Sequence, residues 1–163
     1  MCGGPSAPHD LRRAKQELGS AEYDLVSVNN HGLLYLGEVA WFYAHDKRMV
    51  EHLKEEQATV IVHHDCRNLR EQDIHAGIVP FIRLSGPEAL WVCDWFEYKT
   101  IHIVGVDFYQ GKRRYWHQWD QDNLPTKIND DQLAKWRETK RKMQHPERVV
   151  CYNDRLKRVF DES

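Results

Sequence analysis

Two runs of the chain, residues 58–64 (ATVIVHH) and 100–106 (TIHIVGV), carry apolar side chains at both odd and even positions. Successive strand residues point to opposite faces, so a run that is apolar at both is a strand covered on two sides, as in a parallel sheet sandwiched between helices. Three further runs have strand character, at 23–28 (YDLVSV), 39–43 (VAWFY) and 148–152 (RVVCY). Between these runs, segments 10–18, 46–56, 87–96 and 130–143 space their apolar residues three and four apart, the helical interval, and several begin with N-cap residue types. Strand and helix therefore alternate. The pattern predicts a single α/β domain over residues 1–163, with a mostly parallel sheet, right-handed crossovers and helices on both faces. Residues 78–84 (IVPFIRL) read as a sixth strand at an edge or as an irregular segment, because Pro80 cannot donate a ladder hydrogen bond.

A chain of 163 residues with 41% hydrophobic and 29% charged residues has enough apolar surface for one core. Its net charge of -2 lacks the basic surplus of a nucleic-acid binder, and no DNA-binding signature is present. The four cysteines, Cys2, Cys66, Cys93 and Cys151, form no CxxC pair, so neither a zinc knuckle nor a dithiol motif is written here. That usage fits a reducing, cytoplasmic setting. No apolar run reaches transmembrane length, and the amino terminus lacks the basic start and apolar stretch of a signal peptide. A homo-oligomer stays open.

In open parallel sheets, ligands bind beyond the carboxyl ends of the strands, where strand order reverses. The 100–106 run delivers Asp107, Phe108 and Tyr109 to that edge, and the aperiodic, aromatic-rich stretch 110–129 is expected to form a loop over it. The alternative is that Asp107 caps the next turn and the aromatics only pack. Gly3, Gly4 and Ser6 precede the first helix, where bare backbone amides and the helix dipole suit a phosphate; a plain Gly-Pro turn is the simpler reading. Asn29 and Asn30 end the 23–28 strand, and their amides can read a ribose or base edge or satisfy a strand-end turn. Ser85 and Gly86 open the third helix, as an anion or base contact or with Ser85 as an ordinary N-cap. The basic triplet Lys112, Arg113 and Arg114 sits among aromatics and suits phosphate or nucleic acid, or else a solvated loop.

Histidines are numerous, but His63 and His64 alternate across a strand and cannot both reach one ion, so no metal site is expected there. His45 with Asp46 suits a polar ligand contact better.

Taken together, "GGPS" (3–6), "VSVNN" (26–30), "SGPEALWVCDWFEYKTIHIVGVDFYQ" (85–110) and "VVCYND" (149–154) resemble the bacterial sialyltransferases of glycosyltransferase family 42 and, more distantly, the MptE-like 6-hydroxymethylpterin diphosphokinases. The 85–110 block is the specific part. The resemblance implies a Rossmann-like nucleotide-binding domain. It also implies a nucleotide-dependent transferase acting on a CMP-linked sugar donor and an acceptor, with no metal or other cofactor required. By the same matching, Tyr109 and Tyr115 have the family's YxxxxxY spacing and would hydrogen-bond the departing phosphate. Gly3, Gly4 and Ser6 would line the phosphate and sugar, Asn29 would contact the nucleotide, and Ser85 and Gly86 would meet the base or ribose.

The chain departs from the family in three places. The histidine base has no counterpart, since the equivalent ground lies near Pro125 and Thr126; His117 is the nearest substitute. The lid is shorter. The strand that in the family precedes "GGPS" is absent, which predicts either a slot in the sheet filled by another segment or a second chain, or a true start upstream of Met1. Two other functions are compatible with the same residues: a Mg²⁺-dependent diphosphokinase using strand-end carboxylates, and a noncatalytic nucleotide-binding module.

Overall fold

The computed structural model describes residues 1–35, 37–44, 47–56, 58–62, 74–75, 82, 84–108 and 130–162. Within these, six short strands alternate with five helices: α1 (Ala7–Leu18), β1 (Val26–Val28), β2 (Trp41–Ala44), α2 (Lys47–Glu55), β3 (Val60–Val62), β4 (Ile74–His75), α3 (Ser85–Trp95), β5 (Ile101–Ile103), α4 (Asp130–Lys142), β6 (Val149–Cys151) and α5 (Asp154–Asp161). Strands β1-β2-β3-β4 form one sheet in that order and β5-β6 a second, and every pairing is parallel.

The slot expected ahead of "GGPS" is occupied by residues 1–4 themselves. The Met1 amino group donates to the Val26 carbonyl and the Met1 carbonyl accepts from Val28 N–H at 2.9 Å, the ladder of a parallel neighbour of β1. On the other side Cys2 N–H donates to the Val104 carbonyl at 2.9 Å and Gly4 N–H to the Gly105 carbonyl at 2.8 Å. One extended segment thus ties the two sheets together in the order β4-β3-β2-β1, residues 1–4, β5-β6.

Strand β2 shows why both faces are apolar: Phe42 and Ala44 pack with Val50 and Leu53 of α2, while Tyr43 packs with Ala89 and Val92 of α3. Likewise Ile101 and Ile103 of β5 face Leu90, Trp136, Leu156 and Val159, whereas Val104 meets Leu11 and Ala14 of α1. Helices therefore cover both sides. Buried carboxylates lock the layers. Glu88, with no exposed surface, accepts from Tyr43 Oη at 3.0 Å and Ile82 N–H at 2.9 Å. Asp94 accepts from the backbone N–H groups of Gln144 and His145, fixing the end of α4 against α3.

Several expectations shift. Helix α1 starts at Ala7 rather than residue 10, with Pro8 in the first turn, where its missing N–H costs nothing. The 100–106 run is a strand only over Ile101–Ile103, because Gly105 takes φ +73° and turns the chain. Ser85 is not an N-cap: it is the first helical residue, Leu84 holds the cap position, and no side chain caps it. Strand β4 and helix α5 were not anticipated, although Asn153 is a regular N-cap, accepting from the N–H groups of Arg155 and Leu156. Ile82 and Leu84 of the 78–84 run lie in no strand; residues 78–81 and 83, with His45, Asp46, His63, His64 and Asp65, fall outside the described residues. Among the described residues no helix is long and apolar enough to cross a membrane.

Candidate functional site

Residues 3–6, 29–32 and 105–108 meet at the carboxyl edge of β1 and β5, on either side of the extended segment 1–4. Gly105 creates the meeting point. In its left-handed conformation it lies so close to the Cys2 carbonyl and Ala7 that a Cβ would fall 2.4 Å and 2.6 Å from them. This brings Asp107 beneath the first turn of α1. The Asp107 carboxylate accepts the Ser6 backbone N–H at 2.8 Å, and a Cβ on Gly4 would sit 2.2 Å from its Oδ2. Asp107 therefore caps α1, 101 residues earlier in the sequence.

A second carboxylate completes the cluster. Asp10, only 5% exposed, accepts the Ser6 hydroxyl at 2.6 Å and the Gly105 N–H at 3.2 Å. Ser6 thus stands between two acids, donating its N–H to one and its O–H to the other. Sequence reading took Asp10 only as the start of a helix and missed its bridge to Gly105. It also missed His31, whose buried ring lies against Gly3, where a Cβ would come within 2.4 Å of Nδ1 and Cε1. A signal for Gly105 existed: a glycine inside a strand-like run marks a bulge or a close backbone approach.

Asn29 leaves β1 with φ +55°, a conformation asparagine tolerates better than most residues, and opens a 3₁₀ turn, Asn29–Gly32. Its Oδ1 is buried and accepts no hydrogen bond among the described residues. The Asn30 carbonyl accepts from Leu33 N–H. Gly86 is explained by packing: a Cβ there would lie 3.2 Å from the Trp136 ring and 3.4 Å from Cys2 Sγ. Through Cys2, the start of α3 adjoins the segment that carries Gly3. The Cys2 thiol is pushed up by burial and stays protonated at neutral pH.

The structure therefore gathers Gly3, Gly4, Ser6, Asp107 and, through His31, the Asn29–Gly32 turn, and it sets Ser85 and Gly86 one residue away behind Cys2. Phe108 is buried among Leu90, Ile103 and Trp136 with φ +50°, which anchors the chain just ahead of Tyr109. Tyr109, Arg113, Arg114, Tyr115 and His117, with the whole 110–129 stretch, lie outside the described residues. Among the described residues no three His, Cys, Asp or Glu side chains converge as a metal-binding group. Chemically, the site presents two carboxylate acceptors, an orphan amide oxygen and close-packed glycine backbone, a set suited to hydroxyl and amino donors on a ligand.

Set against protein-family models, curated proteins and solved structures, the chain matches none.

Proposed function

We propose that the chain is a Rossmann-like, nucleotide-dependent transferase whose donor lies across the carboxyl edge between segment 1–6 and Gly105–Phe108. The observation that carries this reading is topological. The strands run β1 to β4 on one side of residues 1–4 and β5 to β6 on the other, so strand order reverses between residues 1–4 and β5; the Gly-Gly-Pro-Ser turn and Asp107 emerge there, with Asn29 one strand away at the end of β1. A switch point of this kind is where open α/β sheets bind nucleotides.

The charge at the site refines which part of the donor goes where. Asp107 already takes the α1 amide that a phosphate would need, and Asp10 stands behind it, so a phosphate placed there would meet two carboxylates. Sugar hydroxyls suit this ground, with Asp107 as acceptor and the unpartnered Asn29 Oδ1 as a second. The phosphate then faces the side from which Tyr109, Arg113 and Tyr115 follow in the chain.

In the transferase reading, an acceptor hydroxyl attacks the donor sugar carbon and gives its proton to a base, for which His117 is the candidate. The carbon–oxygen bond to phosphate breaks with its electron pair going to the phosphate oxygen. The phenols of Tyr109 and Tyr115 then hydrogen-bond that developing charge. The CMP-linked sugar donor follows from the resemblance of the 85–110 block.

A thermal-shift panel of CMP, UMP, GDP, ATP and their sugar conjugates tests the binding part, since stabilisation grows with ligand concentration over Kd. Loss of turnover with retained folding in the Tyr109→Phe, Tyr115→Phe double variant tests the chemistry; unchanged turnover overturns it. The paired carboxylates Asp10 and Asp107 favour one second reading, Mg²⁺-dependent diphosphoryl transfer. Activity abolished by chelator and restored by Mg²⁺ would replace the first reading with it. Stabilisation by a nucleotide without turnover on any donor would leave a binding module.

A further inference from the structure

Strand β6 closes the second sheet, and among the described residues its one strand partner is β5. A groove of about 240 Å³ lies along its outer side, lined by the successive half-buried residues Val149, Val150, Cys151 and Tyr152. Helices on both faces of the sheet flank it, α1 with Arg13 and Glu17 and α5 with Lys157, Phe160 and Asp161. Tyr152 holds the α1 side in place: its Oη donates to Glu17 Oε2 at 2.8 Å, and the Arg13 guanidinium lies 4.9 Å from its ring centroid. The last turn of α5 is drawn toward α4, where Lys140 Nζ donates to the Glu162 carbonyl, and so leaves the groove open. A strand edge of this kind offers main-chain donors and acceptors to another chain, and the side chains beside it decide which chain can approach.

The charges beside this edge follow one rule. Each helix sets a cation against the groove and an acid one turn later, Arg13 then Glu17 and Lys157 then Asp161, all four exposed. Both helices run opposite to the strands: α1 starts at the carboxyl edge, where Asp107 caps it, and α5 starts there directly after β6, with Asn153 as its N-cap. On both faces, therefore, the cation stands toward the carboxyl ends of the strands and the acid toward the amino ends.

Two copies of the chain can meet edge to edge at β6 in two ways. With the strands parallel, the α1 face of one copy meets the α5 face of the other, and like charges face each other, Arg13 with Lys157 and Glu17 with Asp161. With the strands antiparallel about a twofold axis perpendicular to the sheet, each face meets itself with its ends exchanged. Arg13 then faces Glu17 of the second copy and Lys157 faces its Asp161, and the twofold repeats both pairs.

We propose that β6 is a dimerisation edge, pairing antiparallel with β6 of a second copy of this chain to join the two sheets into one. Main-chain hydrogen bonds between the strands attach the copies, as in β-augmentation, and the Arg13–Glu17 and Lys157–Asp161 pairs select the antiparallel arrangement. The inference is independent of the nucleotide reading, which concerns the carboxyl edge between segment 1–6 and Gly105–Phe108.

Sedimentation equilibrium of the full chain is expected to show monomer and dimer with no larger species, because the twofold contact occupies the same edge of both copies. Raising NaCl from about 0.05 M to 0.5 M is expected to weaken dimerisation about tenfold, as screening of exposed ion pairs requires. Two variants at exposed positions fix the arrangement. Lys157→Glu leaves α5 with acids alone beside the groove, and Asp161→Lys leaves it with cations alone. Each by itself is expected to dimerise about tenfold more weakly, whereas their equimolar mixture recovers wild-type strength as a heterodimer. The exchanged variant, Lys157→Asp with Asp161→Lys, keeps the twofold complementarity and is expected to dimerise like the wild type. Circular dichroism of each variant confirms its folding. A chain that stays monomeric at millimolar concentration, single variants that dimerise unchanged, or a mixture no stronger than either variant alone overturns the proposal.

Discussion

The Asp107 carboxylate accepts the backbone N–H of Ser6 at 2.8 Å, joining the start of the first helix to the turn after the fifth strand. This contact does structural work first, by satisfying a helix-terminal donor and placing negative charge at the positive end of α1. Replacing Asp107 with Ala is expected to cost about 0.5–2 kcal/mol, the usual worth of a cap, measured by urea unfolding. Asp107→Asn keeps an acceptor oxygen and is expected to recover most of that stability. If Asp107 also holds a sugar hydroxyl, both variants weaken binding of the nucleotide-sugar, and an Asn variant with full stability and full affinity would remove the residue from the site.

Gly4 tests how closely the first turn must approach Asp107. A Cβ there would lie 2.2 Å from Asp107 Oδ2 and 2.6 Å from the Gly105 carbonyl, the second of which is backbone and cannot swing aside. Gly4→Ala is therefore expected to destabilise by about 2 kcal/mol or more, read as a lowered urea midpoint. Gly19→Ala would not be an equivalent control despite its open surroundings, because Gly19 has φ +60°.

Glu88 is a second point of strong expectation. Truncation to Ala removes the carboxylate that accepts from Tyr43 Oη and Ile82 N–H, at about 1–3 kcal/mol for each buried donor. Glu88→Gln, which retains one oxygen, should fall between wild type and Ala. A Glu88→Ala protein as stable as wild type would show that these donors find other partners.

Stability should also depend on His102. Burial lowers the pKa of its imidazole, and Glu17, 3.8 Å away, opposes this only in part. The folded state then binds the proton less readily than the unfolded state, so this stability is complete above the unfolded pKa of about 6.5 and is lost as pH falls from there through the lower folded pKa. Tm measured from pH 8 to pH 5 is expected to drop more steeply for wild type than for His102→Gln. Identical slopes would refute the assignment.

The described thiols should be inert in the native state. Burial pushes Cys93 up to about 11 and Cys151 up to about 12 and raises Cys2 as well. At pH 7.5 a Cys66→Ser variant is expected to resist iodoacetamide until urea unfolds it, followed by mass spectrometry. Rapid labelling of Cys93 in the folded protein would contradict its raised pKa.

Much of the architecture can be read in the amino-acid order. Local periodicity is a property of neighbours in the chain, so the apolar run at 100–106 announces a doubly covered strand, and the three-and-four spacing announces α1 to α4. The candidate edge, with Gly3, Gly4, Ser6, Asn29 and Asp107, was legible for the same reason: strand ends in parallel sheets are where side chains become free to meet a ligand. What sequence could not supply were relations between distant segments. That residues 1–4 insert between β1 and β5, that Asp107 caps α1, that Asp10 bridges Ser6 to Gly105 and that Gly86 makes room for Trp136 each depend on two or three parts of the chain arriving together. Such contacts leave no periodic trace, because one backbone amide or one missing Cβ is enough to make them. Tertiary packing alone decided them.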